Sequence, residues 1–159
     1  MDSKPTITAR LLTPFLSGYG AVWLRRHERN VLEHGKLLDA CQFEDALRVG
    51  VRHPEEVRVL KADRVPMPFR RLALLCSRTL RTNQVEPVGL CAQYGIYVKE
   101  SGESDRNVLV HELVHTKQYE LAGGIKPFLR KYLLDCLSHG YSACEMESEA
   151  VRAANVICA

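Results

Sequence analysis

Two histidines four residues apart, with a glutamate beside the first, are the most reactive arrangement in this 159-residue chain. They lie in Leu109-Val110-His111-Glu112-Leu113-Val114-His115-Thr116-Lys117-Gln118-Tyr119. On a helix, residues four apart stand one above the other, so both imidazoles project from one face. Two neutral ring nitrogens about 2.0–2.1 Å from a zinc ion fill half of a tetrahedral site. Glu112 is then placed to take a proton from a water activated by the metal, without being a ligand itself. The bare spacing also arises by chance on surface helices, so its context carries the argument.

That context is a well-punctuated helix. Ser104 and Asp105 are good N-cap residues, Val108, Leu109, Leu113 and Val114 form an apolar flank, and Gly123-Gly124 ends the segment. A zinc site needs a third protein ligand, with water in the fourth position. The extension His-x-x-Gly-x-x-His is absent, because Gln118 and Ala122 stand at the relevant spacings. The third ligand must come from elsewhere, and Glu145-Met146-Glu147-Ser148-Glu149-Ala150 is the obvious donor. Glu145 and Glu149 share a helix face with Glu147 roughly opposite, and spacing does not choose between the faces. The plain alternative is an acidic first turn that favours the helix dipole.

His111-Glu112-Leu113-Val114-His115 with the downstream glutamates resembles the gluzincin branch of the zincin metallopeptidases. More narrowly, the chain is similar to small bacterial zincin-like proteins of poorly described function. There a His-Glu-Leu-Val-His-Thr-x-Gln-Tyr-Glu helix is followed by Gly-Gly, by a helix ending in Gly-Tyr, and by Glu-x-Glu-Ala. The counterparts here are His111 to Glu120, Gly123-Gly124, Gly140-Tyr141 and Glu147-Ser148-Glu149-Ala150, a likeness spanning about residues 88–152. The resemblance implies Zn2+ held by His111, His115 and Glu147, with Glu149 in reserve. It implies Glu112 as general base and Tyr141 as oxyanion stabiliser, a role His139 could also fill. Gln118 or Tyr119 would orient ligands, and the substrate would be a peptide or protein. Manganese, cobalt or iron are alternatives to zinc. A competing expectation is a catalytically inactive zinc-binding module that recognises an extended segment along an open strand near Tyr97. A third is a helical interaction protein without metal.

The elements that must position these residues follow from pattern. Composition is globular, with 46% hydrophobic and 26% charged residues. The expectation is α+β: a minimal zincin-like domain over 1–159, with a small mixed sheet packed on several helices and the His-Glu helix central. Residues 1–53 form a helical part, and 54–159 carry strands, motif helix and third-ligand helix. Residues 1–20 read as irregular with a short helix around Leu11 to Leu16, followed by helices over Ala21 to Leu38 and Gln42 to Val49. Strands are expected at Val57 to Lys61, Val88 to Ala92 and Tyr94 to Lys99, with a helix from Phe69 to Leu80. Two more helices run from about Pro127 to His139 and from Glu145 to Ile157. Phe128, Leu129, Tyr132, Leu133 and Cys136 read as core, and His27, His34 and His53 as surface.

The net charge of +3 is too small to imply nucleic acid or an anionic membrane as partner. Arg70, Arg71, Arg78 and Arg81 read as a solvated helix face. The six cysteines form no Cys-x-x-Cys pair and read as buried free thiols of a reducing, cytoplasmic setting, with Cys144 closest to the proposed ligands. Leu11 to Leu24 is too short to span a bilayer, and Asp2 argues against a signal peptide. Oligomeric state is left open.

Overall fold

The computed structural model describes residues 7–67, 87–100, 105–139 and 144–159. The architecture is α+β, and among the described residues it is a four-stranded mixed sheet with helices on both faces. In chain order come α1 (Ile7–His34), β1 (Lys36–Leu37), α2 (Ala40–Val49), a 3-10 turn at Pro54–Glu56, β2 (Arg58–Ala62), β3 (Gly89–Ala92) and β4 (Gly95–Lys99). Then follow α3 (Asp105–Ala122), α4 (Ile125–His139) and α5 (Glu145–Cys158). The expected helix over Phe69 to Leu80 with its arginine stripe, most of the turn at 83–87, the turn at 101–103, the Ser104 cap and Tyr141 lie outside the described residues.

Strand order is β1-β2-β4-β3, with β2 and β4 parallel and the outer pairings antiparallel. Tyr97 therefore sits on an interior strand, which corrects the expectation of an open edge there. Among the described residues the edge nearest the motif helix is β3. Because β4 is covered on both faces, its residues are buried without alternation. Ile96 and Val98 join Val110, Leu113 and Val114 of α3 in the main core. Tyr97 turns the other way, where the Asn30 amide of α1 donates to its hydroxyl at 2.8 Å. A Cβ on Gly95 would stand 3.0 Å from Val31 Cβ and 3.1 Å from Glu28 Cα, so α1 packs on bare strand backbone.

α1 departs most from expectation: it is one 28-residue helix with Pro14 inside it. A proline in a helix interior costs about 3 kcal/mol. Burial of Leu24 and Val31 against the sheet offsets that, at roughly 1.5–3 kcal/mol for each side chain. The Ser17 hydroxyl also donates to the Pro14 carbonyl at 3.1 Å. His27 is not a free surface residue either, since its ring lies 4.1 Å from that of Trp23 and its Nδ1 is 3.2 Å from the Tyr97 hydroxyl.

α2 begins with a reciprocal cap, Asp39 and Gln42 each bonding the other's backbone N–H at 2.9 and 3.0 Å. Among the described cysteines, all free, Cys91 and Cys144 are buried and only Cys41 is exposed. Among the described residues no helix is long and apolar enough to cross a membrane.

Candidate metal centre

α3 runs through the middle of the molecule, and residues 112–116 are buried without a break. Leu109, Val110, Leu113 and Val114 fix its roll against the sheet and α5, which leaves His111 and His115 on the side facing α4 and α5. Thr116 ties it to the β3–β4 turn by donating to the Gln93 carbonyl at 2.9 Å. The helix carrying the motif is thus held from several directions.

α5 brings the third group. Its N-terminus is not capped by its own Cys144; instead the Asp135 carboxylate of α4 accepts from the Glu145 and Met146 N–H groups at 2.9 and 3.4 Å. Cys144 donates to the same carboxylate at 3.2 Å and is not among the converging ligands. This fixes the start of α5 relative to α4 and turns Glu147 inward. Glu145 stays exposed. Glu149, the reserve ligand, accepts from Lys117 Nζ at 3.0 Å and from Gln118 Nε2 at 2.9 Å instead.

The three groups meet at coordination spacing. His111 Nε2 and His115 Nε2 are 3.2 Å apart, and Glu147 lies 3.4 Å from each, through Oε2 and Oε1 respectively. Atoms bonded at 2.0–2.1 Å to one ion at tetrahedral angles lie about 3.3–3.4 Å from one another. The donor set, two imidazoles and a carboxylate, therefore fits zinc in chemistry, with one ligand atom of each residue within 4.8 Å of the others.

Gln118 settles the tautomer. Its Nε2 donates to the Met146 carbonyl at 3.1 Å and to Glu149, so its oxygen must be the atom 2.8 Å from His115 Nδ1. His115 Nδ1 then carries the proton and Nε2 presents a lone pair toward the site. Of the two residues expected to orient ligands, Gln118 touches one. Tyr119 instead donates to the Cys91 carbonyl at 3.3 Å.

Charge is distributed to match. Burial works against a charged Glu147, yet the His111 hydrogen bond, the His115 imidazole beside it and the Tyr132 phenol hold its carboxyl down at about 2. Burial likewise opposes a charged His111, but its bond to Glu147 and the two nearby carboxylates raise it. Burial pushes Glu112 up, only partly countered by the two imidazoles. A raised carboxyl is a better proton acceptor, the property a general base needs.

Glu112 lies against the edge strand. A Cβ on Gly89 would collide with its Oε1 and lie 2.9 Å from its Cδ and Cγ, so the strand makes room by having no side chain there. Lys99 N–H donates to the Val88 carbonyl at 2.8 Å. By antiparallel alternation the main-chain groups of Gly89 and Cys91 then point away from β4. The Cys91 N–H is already engaged by Glu112 and its carbonyl by Tyr119.

A cavity of about 300 Å³ opens beside these groups, walled by Trp23, Leu90, Phe128, Leu129 and Leu133. Tyr132 also lines it and donates to Glu147 Oε1 at 2.6 Å. Its helical spacing with Phe128 signalled only core, and nothing in the sequence announces that contact. The side chain of His139, like Tyr141, is outside the described residues, so neither is placed at the site. Searches of protein-family models, curated proteins and solved structures find no match to this chain.

Proposed function

We propose that the protein is a zinc-dependent peptidase of the gluzincin kind, with His111, His115 and Glu147 holding the metal and Glu112 as general base. The observation that carries this reading is the convergence of two imidazole nitrogens 3.2 Å apart with a carboxylate that sets one oxygen 3.4 Å from each, and a buried carboxylate of raised pKa one residue from His111. A zinc ion held there supplies Lewis acidity, lowering the pKa of a coordinated water toward about 7 and polarising a carbonyl. The chain's own residues do the rest. Gln118 keeps His115 in the ligating tautomer, and Gly89 keeps Glu112 seated beside the ligands. Glu112 accepts a proton from the attacking water and returns it to the leaving amine. Tyr141 retains its proposed role as oxyanion stabiliser, on the resemblance alone.

The test separates binding from turnover. Metal content is measured on protein purified without added salts, and hydrolysis is followed on a mixed peptide library. The expected result is about one zinc per chain, retained in Glu112→Gln while cleavage falls by about 10²–10⁴-fold. Full cleavage by Glu112→Gln would remove the base assignment. The engaged main-chain groups of Cys91 favour a second reading, because they shorten the edge available to an extended peptide. A zinc module without turnover predicts stoichiometric metal and no cleavage across the library.

A further inference from the structure

We propose that Tyr132 is the positioning residue for Glu147, setting the third ligand before any metal arrives. The proposal rests on the metallopeptidase reading only for what that carboxylate is used for. The phenol donates to Glu147 Oε1 at 2.6 Å, while Oε2 is the oxygen turned to His111 at 3.4 Å. A glutamate side chain has three rotatable bonds. Anchored at Oε1, it gives up that freedom on folding rather than on binding a cation.

The anchor is itself held. The Tyr132 ring stacks on Phe128 with centroids 5.5 Å apart and planes at 18°, and Phe128 stacks on Tyr119 of α3 at 3.7 Å and 27°. His115 meets the Tyr132 ring edge-on at 6.3 Å. The aromatic column therefore starts on the helix that bears the histidines and ends in a hydroxyl at the carboxylate of α5. One device sets Glu147 against His115. An O–H bond to a carboxylate at 2.6 Å is among the stronger hydrogen bonds.

The test uses the full chain and Tyr132→Phe, which keeps the ring and its stacking and removes only the hydroxyl. Zinc affinity is measured by competition with a chromogenic chelator, and the visible spectrum is recorded with cobalt(II) alone as probe. Structures of the metal-free wild type and variant locate Glu147. The expected result is zinc binding weaker by about 10–100-fold, an altered cobalt spectrum, and Glu147 swung away from the histidines in the metal-free variant. Unchanged affinity and spectrum with Glu147 in place would overturn the proposal. So would a lower melting temperature with those three readouts unmoved, since that is the mark of a purely structural tyrosine. If the wild type takes up no metal, the peptidase reading fails, and the two metal-free structures still decide for or against Tyr132.

Discussion

Among the described residues two groups have the composition and proximity to hold a metal ion, and they differ in almost every other respect. His53, Glu55 and Glu56 are exposed neighbours on the 3-10 turn, with a single contact of 3.3 Å between His53 and Glu55. His111, His115 and Glu147 come from two helices, are buried or half-buried, and are each fixed by a further side chain or by one another. Proximity on a turn costs the chain nothing, and exposed side chains pay in lost freedom for any ion they grip. Convergence from separate helices is bought at folding, so binding is left with little ordering to do. The comparison teaches that supporting contacts, more than the ligand types, separate a site from a coincidence.

Histidine replacement breaks that comparison most directly. Zinc at 100 times its dissociation constant adds about 2.7 kcal/mol to folding stability. For a chain of this size that raises the melting temperature by about 5–10 °C. His115→Ala is expected to abolish the rise and the bound metal together, and His53→Ala to leave both as in the wild type. Calorimetry with and without a chelator reads the difference. Equal effects from the two substitutions would mean that the buried group is not the metal site.

Gly89→Ala sharpens the comparison by sparing the ligands. The new Cβ would displace the Glu112 carboxylate, and the contacts that join His111, His115 and Glu147 to one another do not involve Gly89. A misplacement of about 1 Å costs on the order of 10²-fold in turnover. The expected outcome is that loss of peptide cleavage at unchanged zinc content. Lost zinc with the lost cleavage would show that the strand supports the ligands rather than the base.

The parts of this arrangement that depend on local spacing are readable from sequence. The motif helix announces itself by His111 and His115 four apart and by Gly123-Gly124 after it, and the short helix before Gly50 by its αL terminator. Glu147 was not chosen by spacing, since helix periodicity left two faces open. Its selection there came from the family likeness, and the inward turn comes from Asp135 on another helix. The unity of α1 was hidden because Pro14, Gly18 and Gly20 are breakers by local rules, and the packing that overrides them is tertiary. Strand order was hidden for the same reason. β4 is interior because β2, more than 30 residues earlier, pairs with it in parallel. Tyr132 carried a core signature that was correct for its ring and silent about its hydroxyl.

The smallest expected effect concerns a buried carboxylate that is no ligand at all. Asp45 on α2 is buried and accepts from Arg106 of α3 at 2.9 and 3.0 Å, a two-pronged pair. The Arg106 hydrogen bonds hold its carboxyl below the usual aspartate value, outweighing the effect of burial. A carboxyl whose pKa is lower folded than unfolded stabilises the fold at pH values above the unfolded value, about 3.9. That contribution is lost as pH falls through the lower folded value, where both states are protonated. Wild type should therefore outlast Asp45→Asn against denaturant at pH 7, with the gap narrowing progressively on acidification below pH about 4. Zinc affinity should be the same in both, because Asp45 belongs to neither group of converging ligands. Urea melts from pH 7 down to pH about 3 test the first expectation and chelator competition the second. A gap that stays constant across that range would mean that the pair acts through packing rather than charge.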